Sequence, residues 1–259
     1  MSWATRRQLI IVVIILGVLS LVTYYYVEPI INKPPTCSDG KQNGEESGID
    51  CGGGCINLCI NDVKAPIVLW QRSFQIAPSV YNAVAYVENQ SKFAIQSIPY
   101  EFRLYDEAGV FVARVQNETL IPPLGRYAIV ETGIKVGNAK VGRTAFDFGQ
   151  IASPWLRVPE DLLGTHVSIR DVKLKDFDTT PRLSATVKNP YPTMGLSNIV
   201  VSAILYDAND NAITVSKTLL PKLGANASAP IYFTWPNPIT TPVVRYDIVP
   251  LIDIFRVTR

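Results

Sequence analysis

Residues 81–125 read YNAVAYVENQSKFAIQSIPYEFRLYDEAGVFVARVQNETLIPPLG, and residues 182–224 read RLSATVKNPYPTMGLSNIVVSAILYDANDNAITVSKTLLPKLG. Laid on one another, Val87-Glu88-Asn89 meets Val187-Lys188-Asn189 and Leu104-Tyr105-Asp106 meets Leu205-Tyr206-Asp207. Further along, Thr119-Leu120-Ile121-Pro122 meets Thr218-Leu219-Leu220-Pro221. The offset stays near a hundred residues, which predicts one module present twice, each copy a domain of its own.

Within each copy the pattern is that of strands. Tyr100 to Tyr105 alternate with period 2, Asp106-Glu107-Ala108-Gly109 reads as a hairpin turn, and Val110 to Ala113 resume the alternation. The second copy repeats the plan through Leu183–Val187, Ile199–Tyr206 and Ala212–Val215. No amphipathic run of helical length intervenes. The expected fold is therefore mainly β: two tandem immunoglobulin-like or fibronectin-like β-sandwiches, at 60–153 and 163–259, joined by a linker at 154–162.

Upstream, Arg6 and Arg7 precede an uncharged run from Leu9 to Val27, close to the length that crosses a bilayer core. Tyr24, Tyr25 and Tyr26 sit where an interfacial aromatic belt would lie. The two arginines before the run, against Glu28 and Lys33 after it, predict a transmembrane signal anchor at 9–27 with residues 1–8 in the cytoplasm. A cleaved signal peptide is the competing reading, but no small-x-small site follows the run. Residues 28–36 (EPIINKPPT) read as a proline-stiffened spacer.

All four cysteines, Cys37, Cys51, Cys55 and Cys59, lie within the segment 37–59, which is crowded with glycine. Such a segment has too few apolar residues to hold itself together, so crosslinks are expected to do it. Two disulfides are predicted, with three connectivities open. Four thiolates could instead hold zinc, but the CxxxC spacings are unlike the usual CxxC knuckles. Asp39, Asn43, Glu46 and Asp50 place oxygens every three or four residues through this turn-rich stretch, as calcium loops do. The alternative is that they serve only as turn formers.

The string from Cys37 to Cys55, C-x-D-G-x-x-N-G-x-E-x-G-x-D-C-G-G-x-C in outline, resembles a short cysteine-rich motif of secreted and surface proteins, mostly bacterial. That resemblance implies an extracytoplasmic location and no reaction. Cys59 follows after three intervening residues where two are often found. Phe102-Arg103-Leu104-Tyr105-Asp106 to Gly109, with Asn89 before it, resembles the FxLYD-type family of extracytoplasmic β-sandwich modules. The second copy keeps Leu205-Tyr206-Asp207 but has Ala203 in place of Phe and Asp210-Asn211 where Gly would close the turn. The resemblance implies a cell-envelope binding or spacer module with no catalytic residues.

The rest of the composition narrows the function classes. Net charge is +2, from 24 basic and 22 acidic residues spread along the chain, which gives no footprint for nucleic acid. The one histidine, His166, has no obvious partner for acid–base chemistry and is expected on a surface strand, and no enzyme is expected. The expectation is a single-pass membrane protein displaying its modules outside the membrane to a protein or glycan, or as a spacer. Alternatives are an assembly subunit of a secretion, pilus or surface-layer machine, and a calcium-dependent adhesin-like binder.

Overall fold

A computed structural model describes residues 3–31, 37–59, 62–150 and 155–258. The chain is mainly β, with one N-terminal apolar helix, two disulfides in a small segment, and several antiparallel sheets. Helix α1 (Trp3–Ile31) contains the span Arg6–Val27, long and apolar enough to cross a membrane, and no part of that span is buried. The helix continues past the expected end of the span, through Pro29 to Ile31. The remainder of the expected spacer, 32–36, lies outside the described residues.

The strands after it are β1 (Asn57–Leu58), β2 (Ile67–Ala77), β3 (Val80–Asn89), β4 (Phe93–Asp106), β5 (Phe111–Ile121), β6 (Gly125–Lys135) and β7 (Val141–Phe148). Then come β8 (Trp155–Arg157), β9 (Ser168–Lys175), β10 (Arg182–Lys188), β11 (Leu196–Tyr206), β12 (Ala212–Leu223), β13 (Ser228–Thr234) and β14 (Arg245–Leu251). They form four antiparallel sheets: β2-β3-β6, β1-β8-β4-β5 with β7 also on β4, β13-β10-β9, and β12-β11-β14.

Period-2 alternation turns the motif strand's Phe102 and Leu104 inward, both fully buried, and leaves Arg103 and Tyr105 on the other face. They meet Ala83, Ala85 and Val87 of β3 in a core between the first two sheets. A second core joins Leu183, Ala185 and Val187 of β10 to Val201, Ala203 and Leu205 of β11.

A third core lies between these two units. Phe74, Val84, Ala128 and Val130 pack on Ile204, Tyr206, Ala212, Val215 and Val249. The sheets therefore stack in four layers, with β3 and β11 buried on both faces. That explains why Ala83–Val87 and Ile199–Tyr206 read as near-continuous apolar runs where a half-exposed strand would alternate. The contacting sheets do not correspond. The first unit offers β3, which aligns with β10, whereas the second offers β11, which aligns with β4. The contact is heterologous, head to tail.

Residues 155–157, placed by the sequence in a linker, form β8 and pair with both β4 and β1. Trp155, 1 % exposed, fills the first core, because an indole buried there removes more apolar surface from water than it could in a solvated connection. Val158 and Leu162 of the same stretch join the core of the second unit.

Candidate functional site

The repeated residues are clasps. Asn89 is 1 % exposed and its Nδ2 donates to the carbonyls of Phe93 (2.9 Å) and Pro122 (2.8 Å), while its Oδ1 accepts from Ser91 N–H. Asn189, with no exposure, does the same in the second unit: Nδ2 to Met194 O (2.7 Å) and Gly224 O (2.9 Å), and Oδ1 from Tyr191 N–H. Each buried amide satisfies carbonyls of two loops that a sheet ladder cannot reach. The sequence marked this position only as one shared by the two aligned stretches. Its burial was not legible, although an Asn at the aligned position of both stretches is a signal that could have suggested it.

The motif aspartates cap hairpins. Asp106 Oδ1 accepts Val110 N–H at 2.8 Å, and Asp207 Oδ1 accepts the N–H groups of Asn209 and Asn211, both at 2.9 Å. The Asn211 N–H foremost holds the Asp207 carboxyl below the usual carboxylate range. At the turn, Gly109 has φ +81° and Asp210, its counterpart, takes φ +61°, a left-handed conformation that Asp tolerates. The motif tyrosines also share a partner type. Arg143 lies over Tyr105 at 4.1 Å and Arg245 over Tyr206 at 3.6 Å.

The cysteines pair Cys37–Cys55 and Cys51–Cys59, with Cα separations of 5.6 and 5.1 Å. Gly53, at φ +52°, runs so close to the chain that an added Cβ would stand 1.7 Å from Glu45 O, so the loop closes only with glycine there. The segment is joined to the first unit through β1 and β8. Arg157 N–H donates to Ile56 O at 2.8 Å, and its guanidinium donates to Gly53 O at 2.8 Å and to Cys55 O at 3.4 Å. Leu58 enters the first core.

The four oxygen-bearing residues singled out for calcium are placed as follows. Asp50 accepts Gly40 N–H through both oxygens at 3.0 Å, and Asp39 accepts Lys41 N–H at 3.0 Å and Asn43 Nδ2 at 2.9 Å. Glu46 accepts Asn43 N–H at 3.2 Å. Among the described residues, the one group of His, Cys, Asp or Glu whose ligand atoms lie within 4.8 Å of one another is Cys37, Glu46 and Cys55. Its two sulfurs are bonded to each other, so they offer no thiolate.

His166 is exposed in the loop before β9, not on a strand. Its Nδ1 lies 2.9 Å from Gly164 O, and its ring meets Tyr191 edge-on at 5.9 Å. With the loops of both units, it lines a cleft of about 240 Å³ whose walls include Pro122, Tyr127 and Ile252. The Tyr127 phenol there is pushed well above its ordinary range by burial and donates to Pro123 O.

No family model matches the sequence, and no curated protein matches it either. Among solved structures, red sea bream transglutaminase is similar at 10 % identity and a TM-score of 0.26, over 74 % of this chain and 31 % of that one. A protein named as a beta-galactosidase of Bacteroides fragilis is similar at 12 % identity and a TM-score of 0.21, over 70 % of this chain and 33 % of that one. The chain spans about a third of each, and at such TM-scores neither likeness says anything of this chain's function.

Proposed function

We propose that this chain is a non-enzymatic, single-pass membrane protein. It carries two copies of an FxLYD-type, immunoglobulin-like module outside the membrane as one rigid body, for interaction with an envelope protein or glycan or as a spacer. Helix α1 spans the bilayer with Arg6 and Arg7 on the cytoplasmic side. The shared Asn, Tyr-Arg and Asp contacts of the two units support their being copies.

The observation that carries the reading is the pair of disulfides that follows the apolar helix and is tied through β1 to the first unit. Disulfides persist in oxidising compartments, so this segment and the sheets joined to it belong on the far side of the membrane. The heterologous third core supports a rigid display body, because the units cannot swing about a linker without exposing it.

The test is protease protection of the full chain in intact cells. An external protease, given together with a reductant and a membrane-impermeant maleimide, should remove the sheet-bearing part and label four thiols in it. Digestion only after the membrane is permeabilised would sink the proposal.

A further inference from the structure

The two outermost faces of the four-layer stack differ in a way that solubility does not require. On the first unit's outer face the charges balance. Arg103 pairs with Glu101 at 3.2 Å and with Asp147, and Arg114 reaches Glu101 at 3.7 Å. The outer face of the second unit is predominantly basic, the exposed Asp171 at the β9 bulge being the one acidic residue on its three strands. In the β9-β10 register Lys175 stands opposite Arg182, Lys173 opposite Ser184 and Arg170 opposite Thr186, so all of them share the solvent side, and Lys188 lies further along β10. Among the described residues none of these five makes an ion pair, and Lys188 turns to the Asn226 carbonyl and amide oxygens.

Like charges set directly opposite one another across a ladder lower stability. Keeping the face soluble would need only the mixed pattern seen at the other end of the stack. The aligned positions of the first unit are not basic: Arg182 replaces Asn82, Ser184 replaces Val84 and Lys188 replaces Glu88. The same face exposes Tyr232, 54 % accessible and opposite Ser184 on β13. From Arg182 to Lys188 the row extends for about 20 Å. An elongated cationic row beside an exposed aromatic ring matches a linear chain of acidic sugars, with the anions on the guanidinium and ammonium groups and a pyranose face on the phenol ring. This sheet is also the layer farthest in the stack from the disulfide segment, which follows the end of α1 closely in sequence. That favours a polymer over the bilayer carrying the anchor.

We propose that the outer face of β9-β10-β13 is a docking surface for an anionic polysaccharide. The inference deepens the display reading and rests on it for its setting, but its test does not depend on topology.

Full-length protein in a zwitterionic detergent would be titrated with fluorescent alginate, neutral dextran, polyglutamate and anionic phosphatidylglycerol vesicles. Alginate should bind and dextran should not, with affinity falling about tenfold or more as salt rises from ~50 to ~200 mM. Lys173→Gln with Arg182→Gln should weaken alginate about tenfold. Tyr232→Ala should weaken alginate severalfold while leaving polyglutamate unchanged. Should a variant misfold, acetylation of the unsubstituted protein supplies the same answer. Alginate should slow modification of Lys173, Lys175 and Lys188 and leave Lys140 unchanged. Equal binding of dextran, tighter binding of vesicles or polyglutamate than of alginate, or no protection of those lysines would each overturn the proposal. Alginate binding together with a failed protease-protection test would retain the surface and refute the location.

Discussion

The carboxylate of Glu131 on β6 faces the ammonium of Lys217 on β12 at 3.6 Å, across the boundary between the two units. Glu131 also accepts the Tyr100 hydroxyl and Asn117 Nδ2, and Lys217 donates to Val130 O. A polar cluster rooted in the first unit is thus completed by the second. Burial, and then the bond to Glu131, push the Tyr100 phenol far above its ordinary range, so it stays a hydrogen-bond donor at any working pH. A double-mutant cycle of Glu131→Gln and Lys217→Met should give a coupling of about 1 kcal/mol or more in urea unfolding. Additive costs would mean that the two residues do not hold the units together.

The apolar part of the same boundary is tested by Ile204→Arg. Arg103 occupies the aligned place in the first unit and is tolerated there because it faces solvent and acids. At 204 the charge would lie against Val84 and Phe74, costing several kcal/mol in that setting. The second unit should still fold, since its own core is untouched, but the units should part. Small-angle scattering would show a larger radius of gyration, and hydrogen exchange would quicken in β3 and β11. An unchanged radius would count against a rigid stack.

The two buried asparagines should be equivalent. Asn89→Ala and Asn189→Ala each leave carbonyls unsatisfied in the interior and should cost about 2–3 kcal/mol in urea unfolding. An exposed amide such as Gln90→Ala should cost less than about 0.5 kcal/mol. A small effect at either asparagine would remove it from the framework.

For the disulfides, loop-closure entropy gives about 3 kcal/mol for Cys37–Cys55, with its separation of 18, and about 2.5 kcal/mol for Cys51–Cys59, with its separation of 8. Partial reduction with stepwise alkylation should recover these two pairs and no other. Because the carboxylates of Asp39, Glu46 and Asp50 already accept backbone N–H groups, chelating calcium should leave the melting temperature unchanged. A fall on chelation, restored by calcium, would revive a metal role.

The lowered carboxyl of Asp207 has a pH consequence. A group whose folded pKa lies below its unfolded value adds stability that is fully present above the unfolded pKa, near 4. That contribution is lost as pH falls through the folded value. The 207–211 hairpin should therefore keep its amide protection at pH 5 and lose it only in stronger acid. Asp207→Asn should flatten that acid limb in hydrogen exchange, whereas an unchanged limb would assign the acid sensitivity elsewhere.

Much of the fold was legible along the chain because it is local. The period-2 alternation of Tyr100–Tyr105 marked a strand, and the Asp-x-x-Gly spacing located the hairpin. An uncharged run of membrane length was equally plain. Trp155 was misplaced because its stretch is too short for a period to show, and its strand exists only through pairing with β4 and β1. The stacking of the units was hidden for a related reason. A strand buried on both faces, such as β3 or β11, shows an apolar run but not what covers its second face.

The amino-acid sequence by itself determined the predominance of strands, the apolar run at the N-terminus, the hairpin at 106–109 and the presence of four crosslinkable cysteines, since all of these depend on neighbours along the chain. Only the tertiary structure decided which cysteines pair, that Asn89 and Asn189 are interior clasps, that non-corresponding sheets form the boundary, and that Arg170, Lys173, Lys175, Arg182 and Lys188 share one face. Each of those rests on distances between residues far apart in sequence, and such distances are set by packing and register.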